Sequence, residues 1–180
     1  MEIVHIFGEY LYAIKYDGET KNEFRRLFDL WNDPEYLEDF FNEHEKDLNS
    51  GFWNTSGVFD AMFKTFEYAS EIEEQLIKLA ESGKNKHLPG LETIFKPLHN
   101  SQSSVYTLNL SKAKATWLRI YALRVEKDVY LITGGAIKLT LMMEARTHTK
   151  EELRKMNMCR DYLMNQGIVD HEGLIDELEI

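Results

Sequence analysis

A single cysteine in 180 residues, Cys159, permits no internal disulfide and no cysteine metal cluster, and such sparse use agrees with a reducing compartment. Its expected place is the interior of a helix, as a small buried apolar residue. No apolar run approaches the about 20 residues that a membrane-crossing helix needs. The N-terminus, with Glu2, His5, Glu9 and Lys15, lacks the basic start and apolar stretch of a signal peptide, so a cytoplasmic chain is expected. There is no GxGxxG, no HExxH and no nucleophile elbow, and Gly134-Gly135-Ala136-Ile137-Lys138 lacks the first glycine of a Walker loop. Six scattered histidines give no metal-ligand spacing, so neither a metal nor a cofactor is expected. Low-complexity tracts and internal repeats are also missing.

Positive charge is in the minority, with 21 Lys and Arg against 31 Asp and Glu, which argues against a protein that coats nucleic acid with its whole surface. The distribution is uneven, however. Residues 1–82 hold 7 basic and 19 acidic groups, residues 83–160 hold 14 and 6, and residues 161–180 hold 6 acidic groups alone. A basic middle between acidic flanks marks either a site for a polyanion or simply solvated cations on exposed strands and loops. With 43% apolar and 12% aromatic residues, the chain can bury a core, and its length fits a single domain over 1–180.

Loose alternation over residues 1–16, interrupted by Gly8-Glu9, predicts two short strands. Thr20 and Glu23 form a capping-box pattern ahead of Phe24, Leu27, Phe28 and Trp31, predicting a helix that ends near Asn32. Asp33-Pro34 restarts the helix as N-cap and first-turn proline, with Leu37, Phe40, Phe41, His44 and Leu48 as its apolar stripe. A long packing helix is expected from about Thr55 to Ser82, its core face widened by Phe59, Phe63 and Phe66, which alternatively supply an oligomer interface. Glu71, Glu73 and Glu74 on it read as a solvated face. Beyond a basic loop at 84–90, strand-like runs follow at Val105–Leu110, Thr116–Val125, Val129–Thr133 and Ile137–Met143. A Thr149–Glu152 capping-box pattern opens a last helix, and the acidic end from Asp170 is a short helix or tail. Three regions result: a mainly helical acidic part at 1–83, a sheet core at 84–165 and an acidic tail at 166–180. The expected class is α+β, with N-terminal strands and helices packed on one face of an antiparallel β-sheet and a C-terminal helix.

Strict alternation through Trp117-Leu118-Arg119-Ile120-Tyr121-Ala122-Leu123-Arg124 places Trp117, Arg119, Tyr121 and Leu123 on one face and Arg124 on the other. Lys138 follows a Gly134-Gly135 pair suited to a bend or bulge, and His148 precedes the last helix. Arg119, Lys138, Tyr121 and His148 make a sensible metal-independent phosphodiester site: the cations bind phosphate and its pentacovalent transition state, while Tyr or His moves protons. The alternative is a set of ordinary sheet-surface cations beside a packed tyrosine.

The segment from Leu88 to Leu98 with Lys96-Pro97-Leu98, the run Val105–Leu110, Leu118-Arg119-Ile120-Tyr121, Val129–Thr133, Gly134-Gly135-Ala136-Ile137-Lys138 and Thr147-His148-Thr149 resemble, in order and spacing, the RelE/HigB toxin superfamily, in particular its phage-derived Gp49-like branch. The resemblance covers about residues 84–165. It implies a small RelE-like α+β core and a toxin of a toxin-antitoxin system, a metal-independent ribonuclease (mRNA interferase) cleaving mRNA in a ribosome context and neutralised by a cognate antitoxin. Position by position, it implies phosphate contact for Arg119, a catalytic cation in Lys138, RNA contact for Lys96, and roles near the cleft for Tyr121 and His148. Arg124 and the basic-loop residues Lys84 and Lys86 complete the expected RNA-binding set. The other expectation is a non-catalytic toxin-fold module that binds a protein or nucleic-acid partner through the same face.

Overall fold

The chain opens with a hairpin in which β1 (Glu2–Phe7) and β2 (Leu11–Lys15) pair antiparallel, and Gly8 takes the left-handed backbone of the turn at φ 54°. The computed structural model describes residues 1–53, 55–83, 85, 87–98, 108–140 and 147–178. Helix α1 (Glu23–Trp31) is capped by Asn22, whose side chain accepts from the Arg25 amide. The expected Thr20–Glu23 box therefore does not form, because Glu23 turns inward to an ion pair. Asp33 caps α2 (Pro34–Glu43) as its proline-led start predicts, accepting from the amides of Glu35 and Tyr36. A one-turn helix α3 (Glu45–Leu48) and the long α4 (Val58–Ser82) follow. Phe66 is half-buried, but Phe59 and Phe63 are each 68% exposed, so they do not widen the core face.

Strands β3 (Lys96–Pro97), β4 (Asn109–Ala115), β5 (Leu118–Glu126) and β6 (Val129–Ile137) form a meander, then come α5 (Thr147–Asn165) and α6 (His171–Leu178). The expected runs at 105–110 and 137–143 lie partly outside the described residues; within them, the strand from Asn109 extends through Ser111-Lys112-Ala113-Lys114-Ala115 and Ile137 closes β6. Thr149 and Glu152 both lie buried inside α5, and Glu152 bonds Lys155 rather than capping.

The fold is α+β. Its six strands run in the order β1-β2-β6-β5-β4-β3. All neighbours are antiparallel except β2 and β6, which pair parallel from Leu11–Tyr130 to Ala13–Ile132, so the sheet is mixed. Helices cover both faces rather than one. Leu27, Phe41, Ile72 and Leu76 from α1, α2 and α4 share a core with Leu118, Ile120, Ala122 and Ile132. On the other face Met156, Cys159 and Leu163 of α5 and Leu174 of α6 pack with Tyr121, Leu123 and Leu131. The physical reason is that β5 and β6 are apolar on both faces, which an antiparallel sheet wetted on one side would leave exposed. The N-terminal helices share their core with the sheet.

Two local features set the geometry of β5. The β4–β5 turn is Thr116-Trp117, with Thr116 held at φ 50°, a conformation uncommon for a β-branched residue. This turn puts Trp117 in the core with Leu118, Ile120 and Ala122, against the expected alternation. Further along, Tyr121 pairs with Gly134 while Ala122 pairs with Ile132, so Thr133 is a bulge beside the glycine pair.

Candidate nucleic-acid interface

Residues directly opposite in an antiparallel pair point to the same face with Cβ atoms about 4.5–5.5 Å apart, where like charges are destabilising. Here Lys96 faces Lys112 and Lys114 faces Arg119, while Lys112 also faces Tyr121. Two like-charge pairs thus stand on one face of β3–β4–β5. Among the described residues, none of Lys112, Lys114 and Arg119 forms an ion pair with a carboxylate. Burial lowers the Lys112 ammonium from its ordinary value of 10.5, and the charges of Arg119 and Lys114 lower it further. Arg119 is lowered by burial, with Tyr121 opposing; a guanidinium stays protonated regardless. Its NH1 donates to the carbonyls of Thr116 and Leu118, the latter at 2.7 Å, which anchors the strained turn.

At this end of the sheet Lys114, Arg119 and Lys138 line a cavity of about 480 Å³ with Lys64 of α4. Lys64 is paired with Asp60 at 2.8 Å. The wall is aromatic: Trp53 and Tyr68 each meet Trp117 edge-on at 5.4 Å. Trp117 is pinned by an Nε1 bond to Thr65 Oγ1 and Trp53 by one to the Leu139 carbonyl, both 3.0 Å. The half-buried rings of Trp53 and Tyr68 beside Lys114 and Arg119, cations that no carboxylate among the described residues neutralises, suit a phosphodiester strand, since phosphates take the cations and bases stack.

Of the residues singled out in the sequence, Arg119 and Lys138 meet here. Tyr121 does not, because it is fully buried beneath α5 with its hydroxyl unpartnered. Burial raises its pKa. A proton-moving role on an open cleft is thus out of its reach. His148 lines a different cavity and bonds the Ile137 carbonyl at 3.0 Å. Arg124 stands on the opposite face of β5, as alternation predicts, 4.0 Å from Glu92, so it does not join the cation row. Lys96 shares the strand position of the row, but its ammonium donates to the Glu92 carbonyl at 3.0 Å. Lys84 and Lys86 lie outside the described residues. Sequence reading missed Lys112 and Lys114; the period-2 pattern Ser111-Lys112-Ala113-Lys114-Ala115 was the available signal, obscured because alanine and lysine are poor strand formers.

A second polar cluster lies under α5. Glu23 accepts both Nε and NH2 of Arg26 at 2.7 and 2.6 Å and Lys155 at 3.0 Å, while Lys155 also reaches Glu152 at 3.2 Å. Lys155 sits 4.9 Å over the Tyr16 ring. Tyr16 donates to the Thr133 carbonyl at 2.8 Å and contacts Cys159, whose thiol burial pushes up to about 11. Burial, and then Glu23, raise the Glu152 carboxyl above its ordinary 4.5 in spite of Lys155. The folded state therefore holds a proton that the unfolded chain releases first. Stability tied to Glu152 is complete below about pH 4.5 and is lost as pH rises through the higher folded-state pKa. Glu152→Gln should flatten this fall, seen as a gain over wild type in urea unfolding at pH 8 that disappears at pH 4; parallel curves would refute it.

Among the described residues no helix is long and apolar enough to cross a membrane, and no group of three or more His, Cys, Asp or Glu could hold a metal. Comparison with protein-family models, curated proteins and solved structures gives no match to this chain.

Proposed function

We propose that this chain acts on RNA as a toxin-type, metal-independent ribonuclease whose target is mRNA, and that a cognate antitoxin neutralises it by covering the cation face. The observation that carries this reading is the like-charge cross-strand pair of Lys114 and Arg119 with Lys112 on the same sheet face, kept there at a cost to stability. An uncompensated cluster of this kind is expected where a polyanion binds. In the reaction a ribose 2′-hydroxyl attacks the adjacent phosphorus and the 5′-oxygen leaves, giving a 2′,3′-cyclic phosphate and a free 5′-hydroxyl. Arg119 and Lys138 hold the phosphate oxygens as negative charge grows. A lysine of the row, Lys112 or Lys114, takes the 2′ proton, and a neighbouring ammonium supplies one to the 5′-oxygen. Tyr121 and His148, the proton carriers expected from the sequence, are not favoured by their positions.

A second reading, a module that binds RNA without cutting it, is favoured by one observation: among the described residues no histidine lines the Arg119 cavity. Incubating purified protein with single-stranded RNA in excess EDTA separates the two. The first predicts cyclic-phosphate products and a loss of about 100-fold or more in rate for Arg119→Ala or Lys112→Ala. Binding that weakens with salt, without products, selects the second. Absence of both binding and cleavage at low salt refutes both.

A further inference from the structure

The core uses one face of α4, through Ala61, Thr65, Ala69, Ile72 and Leu76, and leaves large apolar side chains elsewhere on the helix. Phe59 and Phe63, one turn apart, are each 68% exposed. The half-buried Phe66 meets Phe63 edge-on at 6.3 Å. At 100° per residue the three rings fall within about 60° of one another around the axis, so they form one stripe. A lone exposed apolar residue is ordinary, but adjoining rings along one helix face mark an interaction surface.

The charge that follows on the same face says what fits there. C-terminal to the rings come Glu67, Ser70, Glu74 and Glu81, all exposed, flanked by the exposed Glu71 and Lys78. The acidic stretch from Glu67 to Glu74 extends roughly 16 Å beyond Phe63. Lys64 does not offset it, because it pairs with Asp60 at 2.8 Å and lines the Arg119 cavity. On the α1 side, Arg25 and Asp29 bear on Glu73 with opposite sign. The face is therefore apolar over two turns and acidic over the next two, in a half of the chain where residues 1–82 hold 7 basic and 19 acidic groups.

This pattern excludes several occupants. Nucleic acid and anionic lipid are repelled by the carboxylates. A second copy is a poor complement: a two-fold contact pairing the phenylalanines either sets the acidic stretches against each other or leaves them uncovered, and each copy carries a net charge of −10. What matches is a segment with apolar side chains at one end and Lys or Arg further along, and a helix presents these at the same pitch as α4.

We infer that the Phe59–Phe63–Phe66 stripe, with the acidic turns after it, is a docking surface for a basic amphipathic helix of a partner protein. The surface shares no residue with the cation face and does not depend on the RNA-acting reading.

The probe is a fluorescein-labelled peptide of about 18 residues, leucine and lysine at helical spacing, titrated into the full chain by anisotropy. Two controls accompany it: the same peptide with glutamate in place of lysine, and a scrambled peptide of identical composition. The amphipathic lysine peptide should bind at least about tenfold more tightly than either control, and less tightly as salt is raised. The double variant Phe59→Ser with Phe63→Ser should weaken binding about tenfold or more, yet melt within about 3 °C of wild type, because both rings lie outside the core. Replacing Glu67, Glu71 and Glu74 with glutamine should weaken binding and flatten its salt dependence. No binding, equal binding of the scrambled peptide, or an unchanged affinity in the phenylalanine variant overturns the docking surface. So does a concentration-dependent dimer of wild type that the phenylalanine variant abolishes, since the occupant is then a second copy.

Discussion

Replacing Glu23 with alanine is expected to lower the unfolding free energy by about 3–5 kcal/mol, the range for removing one partner of a buried ion pair. The side chain is 2% exposed and holds two cations at once, Arg26 on its own helix and Lys155 on α5, 132 residues away. Without it Arg26 loses both short contacts, and among the described residues Lys155 keeps Glu152 at 3.2 Å as its one carboxylate partner, beside the Tyr16 ring. The penalty is chiefly that of stranded charge, not the net worth of the pair. Replacing both ends of the long-range contact with apolar residues, Glu23→Leu with Lys155→Met, should therefore recover much of the loss. Thermal and urea unfolding of the three proteins decides the matter: the single variant should melt roughly 10 °C or more below wild type, and a double variant no better than the single would contradict this account.

Gly135→Ala is the other large effect. A Cβ there would lie 2.6 Å from the Arg119 carbonyl and 2.8 and 3.0 Å from the Leu27 methyls. The first obstacle is backbone, so β5 and β6 must part at the point that carries Arg119, at a cost of about 3 kcal/mol. Gly134→Ala meets a different neighbour, Glu152 Oε2, which is the end of a side chain. A second change, Glu152→Ala, should therefore relieve the Gly134 variant but leave the Gly135 variant as unstable as before. Equal relief of both, measured by urea denaturation, would mean that the carboxylate and not the Arg119 backbone limits the space at Gly135.

Two adjacent glycines before Lys138 indicated a bend or bulge in the sequence, and the register slips there, at Thr133. What the alternation of β5 could not reveal is why both are glycine: one makes room for a carboxylate from α5 and the other for the neighbouring strand and Leu27. The same holds for Glu23. Its spacing from Thr20 matches a capping box, but a pattern of four residues carries no information about Lys155, which outcompetes the cap once α5 docks. Trp117 departed from alternation because a turn with positive φ at Thr116 rotates the chain just before the strand begins.

The sequence by itself determined the α+β class, the hairpin, the start of α2 and the extent of α4, because these rest on local patterning, capping and periodicity within a few residues. It also named Arg119 and Lys138, which line one cavity. Tertiary structure alone decided that β2 joins β6 in parallel and that helices close both faces. It likewise decided that Tyr121 is sealed while Lys112 and Lys114 stand beside Arg119. Those outcomes depend on cross-strand register and on which helix reaches which face, and these are settled by packing between segments more than a hundred residues apart in some cases.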